Sequence, residues 1–156
     1  KGENYLLGFI KNGYNEKIKT IALEQKFILP IGKTLKTGGI IDRIDDLGNG
    51  SFEIVDYKTG ANIPTQKEID KDLQLSIYAL AVASLYNTKP EDIKLSLYYL
   101  DTQEKITTSR SSEILEKVKK EILKTRDEIE KSDFKCSNHF FCQGKCEYSM
   151  FCKGDN

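Results

Sequence analysis

The stretch "GGIIDRIDDLGNGSFEIVDYKTG", residues 38–60, reads as a β-hairpin that carries acids where a buried strand would carry apolar side chains. Residues 40–45 form one strand and 51–59 the next, joined through Gly48-Asn49-Gly50, whose residues tolerate the positive φ of a tight turn. Strand alternation puts Ile40, Asp42 and Ile44 on one face, and Phe52, Ile54, Asp56 and Lys58 on one face of the partner strand. Asp42 and Asp56 therefore interrupt apolar stripes. If they stand opposite one another, as the turn position permits, their β-carbons lie ~4.5–5.5 Å apart. Two carboxylates at that distance repel, and in a half-buried setting one of them prefers a proton to a charge. A divalent cation removes the conflict: Mg²⁺ is hard, takes oxygen ligands, and is commonly held by one or two carboxylates while keeping several waters. Lys58 stands on the same face, two residues beyond Asp56, so two acids and a lysine converge on one spot.

Outward from the hairpin, residues 3–11 have a helical pattern through Leu6, Leu7 and Ile10 that ends at Gly13-Tyr14-Asn15, and a strand runs from about Gln25 to Ile31. A loop through Pro64 leads to "EIDKDLQLSIYALAVASLY", residues 68–86, where Leu73, Ile77, Leu80, Ala81 and Ser84 recur at helical spacing and predict a helix that packs on a sheet. "KLSLYYLD" (94–101) and "EKITTS" (104–109) are two further strands with a tight connection. Residues 112–131 make a charged amphipathic helix expected to bury Ile114, Leu115, Val118, Ile122 and Ile129. Ser111 or Ser112 is its cap, with Glu113 and Glu116 near its positive end. A strand, a long helix and a further strand imply a right-handed crossover onto one sheet. The class is α/β, a central mixed sheet flanked by helices, with no internal repeat.

At 156 residues the chain is one ordinary domain. Hydrophobic content of 38% with 31% charged residues is that of a soluble protein, and no apolar run approaches the ~20 residues of a membrane span. The expectation is a cytoplasmic protein with no membrane partner. Twenty-four basic and 24 acidic side chains cancel, so contact with nucleic acid has to be local. The chain begins at Lys1 and its sole methionine is Met150, which suggests a piece of a longer protein.

"GGIIDRID", "DYKTG" and "QLSIY", in that order and spacing, resemble the PD-(D/E)XK nucleases, in particular the RecB-like and AddB-like branch that ends helicase–nuclease proteins. The resemblance runs from about Glu24 to Cys152 and implies a restriction-endonuclease-like core. It also implies that Asp42 and Asp56 bind Mg²⁺ or Mn²⁺, with Tyr57 lending its backbone carbonyl, and that Lys58 is the catalytic lysine. Gln74 and Tyr78 match the family's Q-x-x-x-Y element and, at i and i+4, share a helix face bordering the site. Ile41 stands where some members have proline. The activity implied is metal-dependent hydrolysis of DNA, exonuclease rather than endonuclease, within a helicase or recombination-repair protein. Its metal would generate hydroxide near neutral pH and neutralise charge on the phosphate. Such nucleases generally carry a histidine on a helix before the first acid, whereas the sole histidine here is His139, so the chain alone is expected to cleave weakly or not at all.

All four cysteines lie in the tail, "CSNHFFCQGKCEYSMFC", with spacing C-x5-C-x3-C-x5-C. Cys136, Cys142, Cys146 and Cys152, among Phe140, Phe141, Tyr148 and Phe151, suit a tetrahedral Zn²⁺ or a [4Fe–4S] cluster. The last three resemble the cysteine group of AddB-like nucleases, which slightly favours iron–sulfur over zinc; the family's fourth ligand lies far upstream, and here either Cys136 replaces it or the partner lies in sequence outside this chain. The division is residues 1–133, a nuclease-like domain, and 134–156, a metal-binding tail. His139 reads as an aromatic-loop residue, Glu24 as a surface glutamate, and Arg43 and Asp45 as solvated or paired structural residues on the face away from Asp42. Two rivals stand beside the nuclease: a catalytically silent nucleic-acid-binding or structural module, and a zinc-binding interaction domain. The intact Asp42, Asp56 and Lys58 argue against the first, and the second explains the tail but leaves the hairpin unexplained.

Overall fold

The computed structural model describes residues 2–13 and 15–133. Lys19–Ile31 (β1), Leu35–Gly48 (β2), Ser51–Lys58 (β3), Ile93–Tyr99 (β4) and Glu104–Ser109 (β5) form one five-stranded sheet in that order. β1, β2 and β3 are an antiparallel meander, and Gly48, Asn49 and Gly50 turn it with φ of 85°, 53° and 78°. β4 lies parallel to β3 and β5 antiparallel to β4, so the sheet is mixed. The parallel step needs a crossover, and Leu73–Tyr86 (α3) supplies it.

The expected helix over residues 68–86 is two helices, Gln66–Ile69 (α2) and α3, broken at Asp70–Asp72. Asp72 ends the break: its carboxylate accepts the Leu75 N–H at 2.8 Å and caps α3. α3 buries Leu75, Ser76, Tyr78, Ala79, Leu80, Ala81 and Val82, whereas Leu73 is half exposed and Ser84 is exposed. The helix is apolar nearly all round, so spacing alone could not set which stripe faces the sheet. Its core partners are Phe27, Leu29 and Ile31 of β1, Ile41 and Ile44 of β2, Phe52 and Ile54 of β3, and Ile93, Leu95 and Leu97 of β4.

Strict alternation fails in β2. Ile41 and Ile44 join the same core, and Ile40 is 46% exposed. Glu24 faces this point, between the pairs Leu23↔Arg43 and Gln25↔Ile41, with φ of +49°. One left-handed residue in the edge strand changes the face that the alternation serves.

Gly2–Asn12 (α1) is helical as expected, but Leu6, Leu7 and Ile10 are 59–65% exposed. The helix meets the sheet through Phe9, whose ring lies edge-on to Tyr57 and Tyr98 at 5.6 and 5.4 Å. Ser112–Lys131 (α4) buries Leu115, with Val118, Ile122 and Leu123 partly covered, while Ile114 and Ile129 are exposed. Ser111 is its cap, accepting the Ile114 N–H at 3.2 Å. The chain divides into two compact units, Lys1–Leu123 and Lys124–Asn156. In the second, the described residues complete α4, with Lys124–Glu128 and Arg126–Glu130 ion pairs along its surface. Among the described residues no helix is long and apolar enough to cross a membrane.

Candidate active site

β2 and β3 pair from Gly48↔Ser51 to Arg43↔Val55 and then part company. Beyond that pair β2 continues against β1, and β3 against β4 through Asp56↔Leu97, Tyr57↔Tyr98 and Lys58↔Tyr99. Asp42 and Asp56 occupy the first position after the last pair. The separation leaves backbone groups without a ladder partner, and Asp42 takes one of them: its Oδ2 accepts the Tyr57 N–H at 2.9 Å.

Asp56 is 3% exposed. Its buried Oδ2 lies 2.6 Å from Lys58 Nζ as an ion pair. Burial pushes the Asp56 carboxyl above the usual aspartate range; Lys58 pulls it back, and the charges of Asp42 and Asp72 push it up further. Burial wins over the ion pair.

α3 brings the other two residues. Lys58 Nζ donates to Gln74 Oε1 at 2.9 Å, Gln74 Nε2 donates to the Tyr78 hydroxyl at 3.1 Å, and that hydroxyl donates to the Ile40 carbonyl at 2.8 Å. Gln74 and Tyr78 are one turn apart, which lets one side chain span from the lysine to the tyrosine. Burial and the nearby Asp56 and Asp42 charges push the Tyr78 phenol up. Gly39 sits beneath this ring: a β-carbon there would lie 3.1 Å from the Phe27 ring and 3.9 Å from Tyr78. Asp42, Asp56, Lys58, Gln74 and Tyr78 are thus gathered where two strands open.

The family profile described as the PD-(D/E)XK nuclease superfamily matches residues 5–153. The chain belongs to the PD-(D/E)XK nuclease superfamily. A 48-residue stretch of this PD-(D/E)XK chain is 52% identical to an ATP-dependent helicase/deoxyribonuclease subunit of Streptococcus pyogenes serotype M12 (strain MGAS2096), covering 31% of the chain and 4% of that protein. The corresponding protein of serotype M6 (strain ATCC BAA-946 / MGAS10394) is 50% identical over 48 residues, again with 4% of its length covered. Among solved structures, "Crystal structure of SSO0001" has the same fold, with a TM-score of 0.50 and 19% identity over 97% of this chain and 68% of that one.

Members of the superfamily typically use divalent metals such as Mg²⁺. The PD-(D/E)XK residues here fit such an ion: the donors are hard oxygens, and the buried Asp56 Oδ2 already faces a cation, the Lys58 ammonium. Among the described residues no group of three or more His, Cys, Asp or Glu side chains forms a metal-binding cluster. Glu24 is exposed. Cys136, Cys142, Cys146, Cys152 and His139 lie outside the described residues.

On the opposite face of this PD-(D/E)XK sheet, Arg43 and Asp45 are paired, but buried rather than solvated. Arg43 Nε donates to Asp45 Oδ1 at 2.8 Å, and Arg43 also donates to the Tyr57 hydroxyl at 3.2 Å. Glu53 joins them, accepting from Ser96 at 2.6 Å and Lys105 at 2.8 Å. Burial pushes Glu53 up, yet Lys105, Ser96 and Lys94 outweigh it and hold the carboxyl below its usual range. Alternation placed Arg43 and Asp45 on this face; that α1 and the strand ends would cover them has no signal in the sequence. Asp72, the cap before "QLSIY", did carry a local signal, an acid just ahead of an apolar helical run.

Proposed function

We propose that this chain is a metal-dependent DNA nuclease domain of a helicase or recombination-repair protein. The observation that carries the reading is the buried Asp56 carboxylate, ion-paired with Lys58, beside Asp42 where the strands separate. Asp42 and Asp56 would hold Mg²⁺ or Mn²⁺, with the Tyr57 carbonyl as a further oxygen, and the ion supplies a hydroxide and charge neutralisation at phosphate. The chain's own residues do the rest. The Tyr57 N–H holds the Asp42 carboxylate in one orientation. Lys58, steadied by Asp56 and Gln74, presents its ammonium to the attacking water or to a phosphate oxygen. Tyr78 anchors Gln74 and is itself anchored to β2.

The sequence relatives support a DNA substrate and helicase partners, because the matched proteins are helicase/deoxyribonuclease subunits. Exonuclease action is favoured over endonuclease on the same likeness. For the tail we propose a [4Fe–4S] cluster on Cys136, Cys142, Cys146 and Cys152, with Zn²⁺ as the alternative for the same soft thiolates. Iron and zinc analysis of the purified chain separates the two, and absence of both metals overturns the tail reading. The test of the nuclease reading is cleavage of linear and covalently closed DNA with Mn²⁺ against a chelator. Loss of cleavage in Asp56→Asn and Lys58→Ala is expected; Mn²⁺-dependent cleavage that survives both substitutions would refute it.

A further inference from the structure

Arg110 is 2% exposed, an uncommon place for a guanidinium. Its donors reach three elements at once. At the end of β5 it donates to Thr108 Oγ1 and the Ser109 carbonyl, each at 3.0 Å. At the end of α2 it donates to the Ile69 carbonyl at 2.7 Å. At the start of α3 it donates to the Asp72 carbonyl at 3.2 Å and to Ser76 Oγ at 2.9 Å. Ser76 Oγ in turn donates to the Asp72 carbonyl at 2.7 Å, and Asp70 and Asp72 supply the neighbouring negative charge.

We infer that Arg110 is a positioning residue for Lys58, acting through the first turn of α3. Gln74 lies between Asp72, the cap of α3, and Ser76, both gripped by Arg110, and is the residue whose Oε1 holds the Lys58 ammonium. The break between α2 and α3 has backbone bonds from the Lys71 N–H to the Glu68 carbonyl at 3.0 Å and from the Asp72 N–H to the Ile69 carbonyl at 3.2 Å. Arg110 adds a donor to the Ile69 and Asp72 carbonyls on either side of it and so ties the end of α2 to the start of α3. A planar fork with five N–H groups can do this for three elements together; a lysine, a point charge with three donors, cannot. A shift of α3 by a fraction of its 2.9 Å bond to Lys58 would release that lysine from Gln74.

The inference rests on the nuclease reading for its consequence, and the experiment keeps the two apart. In Arg110→Met, the side-chain amide ¹⁵N–¹H signals of Gln74 are expected to shift, because Lys58 leaves Gln74 Oε1 while the Gln74–Tyr78 bond within α3 remains, and kcat to fall about tenfold with KM within about twofold. Gln74→Ala should produce the same fall, and the double variant no further loss. Arg110→Lys should restore only part of the activity. Unmoved Gln74 signals in a folded Arg110→Met protein, or losses that multiply in the double variant, overturn the inference. If Arg110→Met does not fold, Ser76→Ala, which removes one acceptor of the fork, decides by the same signals. If the unaltered chain neither cleaves DNA nor takes up Mn²⁺, the nuclease reading fails while the Gln74 signals still decide the role of Arg110.

Discussion

Asp56 holds its proton more tightly in the folded protein than in the unfolded chain, because burial outweighs the Lys58 ion pair. Protons are then bound preferentially by the folded state, so this carboxyl's contribution to stability is fullest below the ordinary aspartate range. It declines as pH rises through that range to Asp56's raised value, above which it is level. Asp56→Asn removes the ionised form. In metal-free buffer the variant should melt higher than the parent at neutral pH, by roughly 2–4 °C, with the advantage shrinking as the pH falls into the carboxylate range. Thermal melts between about pH 3 and pH 8 measure it. The same variant should lose the stabilisation that Mn²⁺ confers on the parent, about 2.7 kcal/mol at a hundredfold excess over Kd. An equal Mn²⁺ shift in both proteins would remove Asp56 from the ligand set. Lys58→Ala addresses the other side of the pair: it leaves the buried Asp56 carboxylate without its cation and should raise that carboxyl's proton affinity further, visible by NMR titration of the aspartate.

α1 and α3 show how the same amphipathic logic can succeed or mislead. In α1 the residues that look like the apolar stripe, Leu6, Leu7 and Ile10, are exposed, and Phe9 makes the ring contacts with Tyr57 and Tyr98. Leu7→Ala and Ile10→Ala should therefore change stability by no more than about 0.5 kcal/mol. Phe9→Ala should cost about 1–3 kcal/mol, from two edge-on aromatic pairs and the area they cover. Urea unfolding of the three variants separates them. In α3 the cap matters more than the stripe. Asp72→Ala leaves the Leu75 N–H without its acceptor and should cost about 1 kcal/mol. It should also loosen Gln74, one residue short of that amide, which hydrogen exchange at Leu75 and Ser76 would register.

The sheet, its core and the gathered acids all belong to the unit Lys1–Leu123. A chain ending after Asp133 should therefore keep its fold and its Mn²⁺-induced rise in melting temperature, as judged by circular dichroism and thermal melts. Collapse of the truncated chain would show that residues 134–156 are required for the sheet to form. Charge over the molecule as a whole sums to zero, so attraction to a DNA backbone comes from local lysines and not from a general field. Binding should accordingly weaken only shallowly with salt, with a log–log slope of about −2 to −4, as expected when few phosphates are neutralised.

The α/β class, the hairpin with its Gly48-Asn49-Gly50 turn, the β4–β5 pair and the span of α4 were legible in the bare chain, because these rest on local signals: turn residues, alternation and caps. So was the family, since "GGIIDRID", "DYKTG" and "QLSIY" are contiguous strings whose order survives without any knowledge of contacts. Which side chains α3 and α1 bury was settled by packing alone: α3 is apolar nearly all round and has no periodic signature of its phase, and the apolar stripe of α1, Leu6, Leu7 and Ile10, is left exposed while Phe9 makes the ring contacts. The change of face beside Ile41 was likewise invisible, since it depends on one left-handed residue, Glu24, in a neighbouring strand. The burial of Arg43, Asp45 and Arg110 was decided in the same way. A charged side chain can be buried only when partners from distant segments meet it there, and those partners, Thr20 and Tyr57 for the first two and Ile69, Asp72 and Ser76 for Arg110, are brought together by the sheet and its crossover, not by the chain's local order.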